Sequence, residues 1–370
     1  MGEFIVSARK YRPTTFESVV GQSSITVTLK NAILNKHLAQ AYLFCGPRGV
    51  GKTTCARIFA KTINCMNPTA DMEPCNECES CKAFNEDRSF NIHELDAASN
   101  NSVEDIRNLI DQVRIPPQIG SYSVYIIDEV HMLSQSAFNA FLKTLEEPPK
   151  HAIFILATTE KHKVLPTILS RCQVYNFNRI TVEDAVAQLS RVAEKEGIKA
   201  DSGALTVIAQ KADGAMRDAL SIFDQIVSFS GNEITYAKAV ANLNVLDYDY
   251  FFRLVDAFLA EDVATSLTIY DEIINKGFEG QHFLSGLSSH FRDLLVASNE
   301  KTVQLLDVGA DIRTKYLEQA KKCQPWFIFD ALKVLSEAES GYRLSQNKRL
   351  AVEFALMRLC NLEYEKKNES

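Results

Sequence analysis

Ala41-Tyr42-Leu43-Phe44-Cys45-Gly46-Pro47-Arg48-Gly49-Val50-Gly51-Lys52-Thr53 decides the fold. Ala41–Cys45 is an unbroken apolar run of strand length. A glycine-rich turn follows, and Ile58, Phe59 and Ile63 then recur at helical spacing. Strand, Gly-x4-Gly-Lys-Thr and helix in this order form a P-loop in the context that such a motif requires. The glycines let backbone N–H groups point at phosphate oxygens, and the N-terminus of the following helix adds a favourable dipole. The pattern therefore predicts a nucleoside triphosphate ligand. Lys52 is placed to reach its β- and γ-phosphates and Thr53 to offer a hydroxyl to Mg²⁺.

Downstream, Val124-Tyr-Ile-Ile-Asp128-Glu129-Val-His131 ends a second apolar strand on two adjacent acids. Ligands of open α/β sheets bind at the carboxyl ends of the strands. Asp128 is expected to hold Mg²⁺, partly through water, and Glu129 to polarise an attacking water. The acidic pair points to hydrolysis rather than transfer to a small acceptor.

Around these two motifs the first half alternates strands and helices. Ile92–Leu95, Ala152–Thr158 and Val174–Phe177 read as further strands, and Val103–Val113 and Ala137–Leu145 as helices. Ser23 and Ser24 are expected to cap a helix presenting Ile25, Leu29, Ala32 and Ile33 on one face. The alternation predicts an α/β fold, a parallel sheet with helices on both faces. From about Arg179 the pattern turns helical. Thr181-Val-Glu-Asp184 reads as a capping box, three helices fit within 181–229, and Gly231-Asn232 marks a turn. A longer helical block runs from about 243 to 364, with Leu350, Phe354 and Met357 expected as one buried stripe. The predicted division is an α/β P-loop domain over 1–178, a small helical domain over 179–242 and a larger helical domain over 243–370. No internal repeat or long low-complexity linker interrupts it.

The chain has 370 residues, 46% apolar and 24% charged, which excludes general disorder. With 40 Lys+Arg against 47 Asp+Glu the net charge is −7, so charge alone gives no reason to expect nucleic-acid binding. No apolar run reaches the roughly 18–20 residues of a membrane span. The first ten residues lack a signal-peptide pattern, and a cytoplasmic protein is expected. Nine cysteines in such a setting are ligands or core thiols rather than disulfides. Cys65, Cys75, Cys78 and Cys81, spaced x9, x2 and x2 within an insertion at about 64–85, suit a closed structural Cys₄ zinc site. His93, nearby, reads as a core or surface histidine. No basic cluster with interleaved aromatics appears, so base-specific reading is not indicated.

Arg171 in Ser170-Arg171-Cys172 and Arg217 in Gly214-x-x-Arg217-Asp-Ala-Leu220 are, by chemistry alone, ordinary surface charges. A resemblance gives them roles. The chain resembles the bacterial DNA polymerase III gamma/tau clamp-loader family of AAA+ ATPases. The likeness is carried by Ala8-Arg-Lys-Tyr-Arg-Pro13 with Phe16, Val19-Val-Gly-Gln22, the P-loop, the four cysteines, Asp96-Ala-Ala-Ser99 and Asp128-Glu-Val-His131. Leu142-Lys-Thr-Leu-Glu-Glu-Pro-Pro149, Ser170-Arg-Cys172 and Gly214-x-x-Arg-Asp-Ala-Leu220 complete it. Positions 8–220 match densely and 221–364 only by helical character.

The resemblance implies that Ala8, Tyr11, Arg12, Pro13, Val19 and Val20 enclose the adenine and its ribose, with Gly46–Thr54 and Met216 completing the nucleotide site. Thr158 or Thr159 would be the water-orienting sensor, Arg217 a sensor arginine acting on its own γ-phosphate, and Arg171 a finger projecting into a neighbour's site. The implied function is an ATPase motor of a hetero-pentameric clamp loader. It would open a sliding clamp and place it on primer–template DNA, within the DNA polymerase III holoenzyme, a nucleotidyltransferase. Lys143 and Ser99-Asn-Asn-Ser102 are candidates for DNA backbone contacts, and residues 243–364 for a collar joining the subunits. A non-hydrolysing scaffold subunit and an AAA+ remodeller, such as a junction helicase or unfoldase, are the alternatives. The intact Lys52, Thr53, Asp128 and Glu129 oppose the first, and the cysteine insertion and the long helical block the second. Ending at Ser370, soon after the third block, the chain reads as a short form or a truncation.

Overall fold

The computed structural model describes residues 5–117, 120–243, 246–299, 301–306 and 308–369. The first four residues, read above for a targeting segment, lie outside them. The chain divides into two units, residues 1–198 with 208–228, and residues 199–207 with 229–370.

The first unit is built on five parallel strands: β1 (Ala41–Cys45), β2 (Ile92–Asp96), β3 (Ser123–Asp128), β4 (Ala152–Thr158) and β5 (Gln173–Asn176), in the order β2-β3-β4-β1-β5. Its helices are α1 (Ser7–Lys10), α2 (Ser23–Leu34), α3 (Lys52–Ile63), α4 (Glu79–Asn85), α5 (Val103–Val113), α6 (Gln135–Glu146), α7 (Pro166–Leu169) and α8 (Val182–Glu196). Two more, α9 (Ser202–Lys211) and α10 (Met216–Ser230), begin or end in the second unit. β1, β3 and β4 are apolar without alternation because helices cover both sheet faces. On one face Tyr42, Phe44, Ile126 and Ile155 pack with Leu29, Cys55 and Phe59. On the other, Leu43, Ile127 and Leu156 pack with Ile106, Phe138 and Phe141. Cys45 pairs with Thr158 and Asp96 with Asp128, so the carboxyl ends of the strands lie level at one edge.

One local expectation in this unit gives way and another holds. Ser23 and Ser24 do not cap α2; Gln22 occupies the cap position without a side-chain cap. Its amide is used elsewhere, donating to the carbonyls of Asn178 (2.8 Å) and Val50 (3.4 Å) and so fastening the P-loop turn to the chain after β5. Thr181 does cap α8, its hydroxyl accepting the Asp184 N–H at 3.1 Å.

The second unit pairs β6 (Lys199–Ala200) with β7 (Glu233–Ile234) and adds α11 (Tyr236–Leu243), α12 (Tyr248–Leu259), α13 (Val263–Asn275), α14 (Gly280–Ala297), α15 (Ala310–Ala320), α16 (Pro325–Tyr342) and α17 (Lys348–Glu369). Helices α12–α17 share one apolar core. The expected stripe on α17 is corrected here. Leu350 and Phe354 are 53% and 59% exposed and Met357 half-buried, whereas Val352, Ala355, Leu356, Leu359 and Cys360 are buried. At about 100° per residue these sets fall on opposite sides of the helix. α17 is apolar on both, and packing chose the face that spacing did not.

Candidate functional site

The candidate site begins at the end of β1. Gly46 takes φ +150°, and a Cβ there would stand 2.5 Å from the carbonyl oxygen of Phe177, so no side chain fits. Gly51, at φ +101°, turns the chain into α3, whose first-turn N–H groups have no intrahelical acceptors. Lys52 is 6% exposed, and its ammonium donates to the carbonyls of Gly46 (2.8 Å) and Pro47 (2.7 Å). Burial holds its pKa below the usual lysine value, against the opposing pull of Glu129 and Asp128.

Asp128 and Glu129 leave the end of β3 in different ways. The Thr53 hydroxyl donates to Asp128 Oδ2 at 2.6 Å, and Asp128 Oδ1 accepts the Glu129 N–H at 2.9 Å. Glu129 lies in the left-handed region at φ +48°, ψ +44°, a conformation costing a non-glycine residue of order 1 kcal/mol or more. That turn brings its carboxylate to Thr159, whose hydroxyl (2.9 Å) and N–H (3.3 Å) both donate to Glu129 Oε2. Thr158 is fully buried, and its Oγ1 lies 3.0 Å from His131 Nδ1 while accepting the Glu160 N–H. His131, absent from the sequence assignment, also faces Glu129 Oε2 and Glu160 Oε1, each at 3.4 Å.

A 520 Å³ cavity opens beside these groups, a volume within the usual range for nucleotide-sized ligands. It gathers Ala8, Tyr11, Arg12, Pro13, Val19, Val20, Arg48–Thr54, Asp128, Glu129, Met216 and Arg217 from the predicted set. Gly46 and Pro47 contribute carbonyls to Lys52 instead of wall. Sequence reasoning gave no role to Val6, Arg9, Ile180, Gln188 and Leu220, which also line it; Arg9 and Leu220 stand inside quoted motifs, and the other three carry no motif signal. Five cationic side chains (Arg9, Arg12, Arg48, Lys52, Arg217) line the cavity against two carboxylates, an electrostatic match for a polyphosphate. Burial, then the nearby Arg57, lowers the Arg12 pKa. The N-terminal segment is held to α8 and α10: the Ser7 N–H donates to Asp224 at 2.7 Å, and Lys10 and Tyr11 meet Glu196. The hydroxyl–carboxylate pair of Thr53 and Asp128 is a hard-oxygen donor set that fits Mg²⁺.

Arg171 does not line this cavity. Its guanidinium pairs with Glu146 at 2.7 Å and donates to the Thr167 carbonyl at 2.6 Å. Lys143, Ser99, Asn101 and Ser102 are exposed, and Asn100 is half-buried. Ser102 caps α5 through the Asp105 N–H, Ser134 caps α6, and the Ser134 N–H donates to the Asn101 carbonyl. The starts of α5 and α6 therefore stand side by side.

The four cysteines converge. All four Sγ atoms lie within 4.8 Å of one another, with Cys65–Cys75 at 3.5 Å and Cys65–Cys78 and Cys75–Cys81 at 4.0 Å. A tetrahedral zinc with bonds of about 2.3 Å sets its sulfurs roughly 3.8 Å apart, so the set fits. Backbone N–H groups of Glu77 and Cys78 point at Cys75 and bring its thiol down to about 6, whereas burial holds those of Cys65 and Cys81 above the usual thiol value. His93 stays outside the cluster and stacks on Tyr125 with ring centroids 4.9 Å apart.

Three family models match successive parts of the chain. Residues 21–181 match the family described as DNA polymerase III, delta subunit. Residues 184–232 match the DNA polymerase III clamp loader subunit ATPase lid domain, and 234–369 domain III of the gamma and tau subunits. The chain is 39% identical to the Bacillus subtilis DNA polymerase III subunit tau, over 96% of this chain and 63% of that one. To the Mycobacterium tuberculosis gamma/tau subunit it is 40% identical, over 85% and 55%. To the Escherichia coli tau subunit it is 36% identical, over 95% and 55%. The chain thus spans between 55% and 63% of these relatives' lengths.

Proposed function

Because the chain belongs to the gamma/tau clamp-loader subunit family of DNA polymerase III, we propose that it is an ATP-hydrolysing motor of a bacterial clamp loader. The observation that carries this reading is the meeting of Lys52, Thr53, Asp128, Glu129 and Arg217 around one cationic cavity. Lys52 leaves the Gly46 and Pro47 carbonyls for phosphate oxygens, aided by the N–H groups opening α3. Thr53 and Asp128 would hold Mg²⁺, which would supply charge neutralisation to the phosphates. Glu129, aimed by its left-handed backbone and by Thr159, orients a water and takes its proton. The water oxygen bonds to the γ-phosphorus, the β–γ bridging bond breaks, and ADP and phosphate leave. Thr159, rather than Thr158, is the sensor in this reading, because it touches Glu129 directly. Arg217 balances charge on the γ-phosphate. Arg171, paired with Glu146 outside the cavity, serves a neighbouring subunit's site.

In this reading residues 1–178 form the ATPase domain, 179–242 the lid and 243–370 the collar of a hetero-pentamer. The motor acts in the cytoplasm, loading a sliding clamp onto primed DNA for the nucleotidyltransferase holoenzyme. Among the described residues no helix is long and apolar enough to cross a membrane. Cys65, Cys75, Cys78 and Cys81 hold zinc as a closed structural site. The adjoining starts of α5 and α6, with Lys143, meet DNA phosphates, which position a duplex without reading it. The test is nucleotide binding followed by turnover. The parent chain binds ATP, and hydrolysis in the assembled loader rises with clamp and primed DNA. Lys52→Ala weakens ATP binding roughly 100-fold, the scale of a lost charged contact. Equal affinity of the parent and Lys52→Ala chains would end this reading.

A further inference from the structure

The cysteine insertion does not only hold itself together. Its Glu73, two residues before Cys75, is 8% exposed and lies far in sequence from the groups it meets. Glu73 Oε2 accepts the Phe16 N–H at 2.7 Å, Oε1 accepts the Glu17 N–H at 3.0 Å, and Lys30 of α2 pairs with Oε1 at 2.7 Å. Three charge-assisted contacts on one nearly buried carboxylate form a specific clasp, since such bonds are roughly twice as strong as neutral ones. The clasp is fixed from the insertion's side as well. The Glu73 N–H donates to Thr69 Oγ1 (3.1 Å), and the Thr69 N–H donates to the Glu73 carbonyl (2.9 Å).

The clasped turn leads directly into the cavity. Phe16 is buried in the core beneath the sheet, and its carbonyl accepts the Val19 N–H at 3.1 Å. Val19 and Val20 then line the cavity, and Val19 Cγ1 comes within 3.8 Å of where a Cβ on Gly51 would lie. Glu73 thus fixes the turn whose next residues form the apolar wall opposite the phosphate-binding loop. The insertion also reaches α3, because Lys61 near its end donates to Asn76 at 2.7 Å.

We propose that Glu73 is a positioning residue of the nucleotide site: through the Phe16–Glu17 turn it sets the Val19–Val20 wall against the base and ribose. The cysteine insertion is then a strut for that side of the cavity. This rests on the nucleotide-site reading above and adds a split between two parts of the ligand. The base side depends on Glu73; the phosphate side, built on Gly46–Thr53, does not.

The experiment measures equilibrium binding of ATP and of inorganic tripolyphosphate, each with Mg²⁺, to the full chain by calorimetry. Glu73→Ala weakens ATP about tenfold, the size of a lost charged hydrogen bond, and leaves tripolyphosphate within about twofold. Glu73→Gln keeps the shape and one acceptor, and Lys30→Met keeps the insertion whole; both give the same selective loss at smaller size. Unchanged ATP affinity in all three overturns the proposal. An equal loss of both probes also overturns it, because that is the mark of general unfolding. A parent chain that binds neither probe instead removes the nucleotide-site reading, and this inference falls with it.

Discussion

The two units treat buried polar groups in opposite ways, and a histidine in each makes the contrast plain. His131, at the strand edge of the first unit, stands between the carboxylates of Glu129 and Glu160, 3.4 Å from each, and beside the Thr158 hydroxyl. His290, in the helical unit, meets the Tyr316 phenol (2.8 Å) and the Gln319 amide oxygen (3.2 Å) inside an aromatic core. The first network joins charges that a ligand can rearrange. In the second His290 touches neutral groups, Gln319 passing on to the Phe252 carbonyl (2.8 Å) and the Asp256 carboxylate (3.2 Å), and burial drives His290 down to about 4. Polar groups near the open end of a sheet can do chemistry, whereas those sealed among helices specify packing. The cavity, the acidic pair and the left-handed Glu129 all belong to the first unit.

The sharpest way to break this contrast is Arg171→Ala. If chemistry in the first unit is completed by a neighbour, the substitution leaves ATP affinity nearly intact and lowers hydrolysis in the assembled loader by about 10³-fold or more. Mixing Arg171→Ala and Lys52→Ala chains restores part of the rate, because some sites then receive both an intact P-loop and an intact finger. Unaltered steady-state hydrolysis by the Arg171→Ala assembly would remove the finger assignment.

A smaller effect tests the second unit. His290 is a base with a lowered folded-state pKa, so the unfolded chain takes up its proton first as pH falls. Its contribution is complete above the unfolded value near 6.5 and is lost progressively toward pH 4. Across that window the loss is about 3 kcal/mol at most. Urea unfolding followed by a signal from the helical unit should show this fall, and His290→Gln should flatten it. A profile equally steep in the variant would assign the dependence to other groups.

The least expected change sharpens the account of α17. Leu350→Gln removes an exposed apolar side chain and should alter the unfolding free energy of the isolated chain by no more than about 0.5 kcal/mol. Leu356→Ala, on the buried face, should cost about 2–5 kcal/mol. Equal costs in chemical denaturation would show that the helix is seated otherwise than described.

What could be read before folding depended on how local the physics is. The P-loop, the strand before it and the Asp128–Glu129 pair were legible because backbone geometry and phosphate chemistry dictate residue types over a few consecutive positions. The cysteine spacing was legible for the same reason, and Cys65, Cys75, Cys78 and Cys81 do converge. The parallel sheet followed from strands too apolar to have a wet face. Arg171 and Arg217 carried no local signal, and only a resemblance picked them out.

Other features were settled by contacts between distant segments. Gln22 leaves the cap of α2 uncapped because its amide binds Val50 and Asn178. Thr159 reaches Glu129 and Thr158 does not, a choice set by where β4 ends beside β3. Glu73 meets residues 56 and 57 positions away. α17 offers two apolar faces, and the neighbours selected Leu356 and Leu359 over Leu350 and Phe354. Composition and spacing determined the kinds of elements and the phosphate chemistry, because those arise within a turn or a strand. Packing decided which face is buried, which threonine touches the acid and which carboxylate clasps the nucleotide wall, because those energies exist only once remote segments meet.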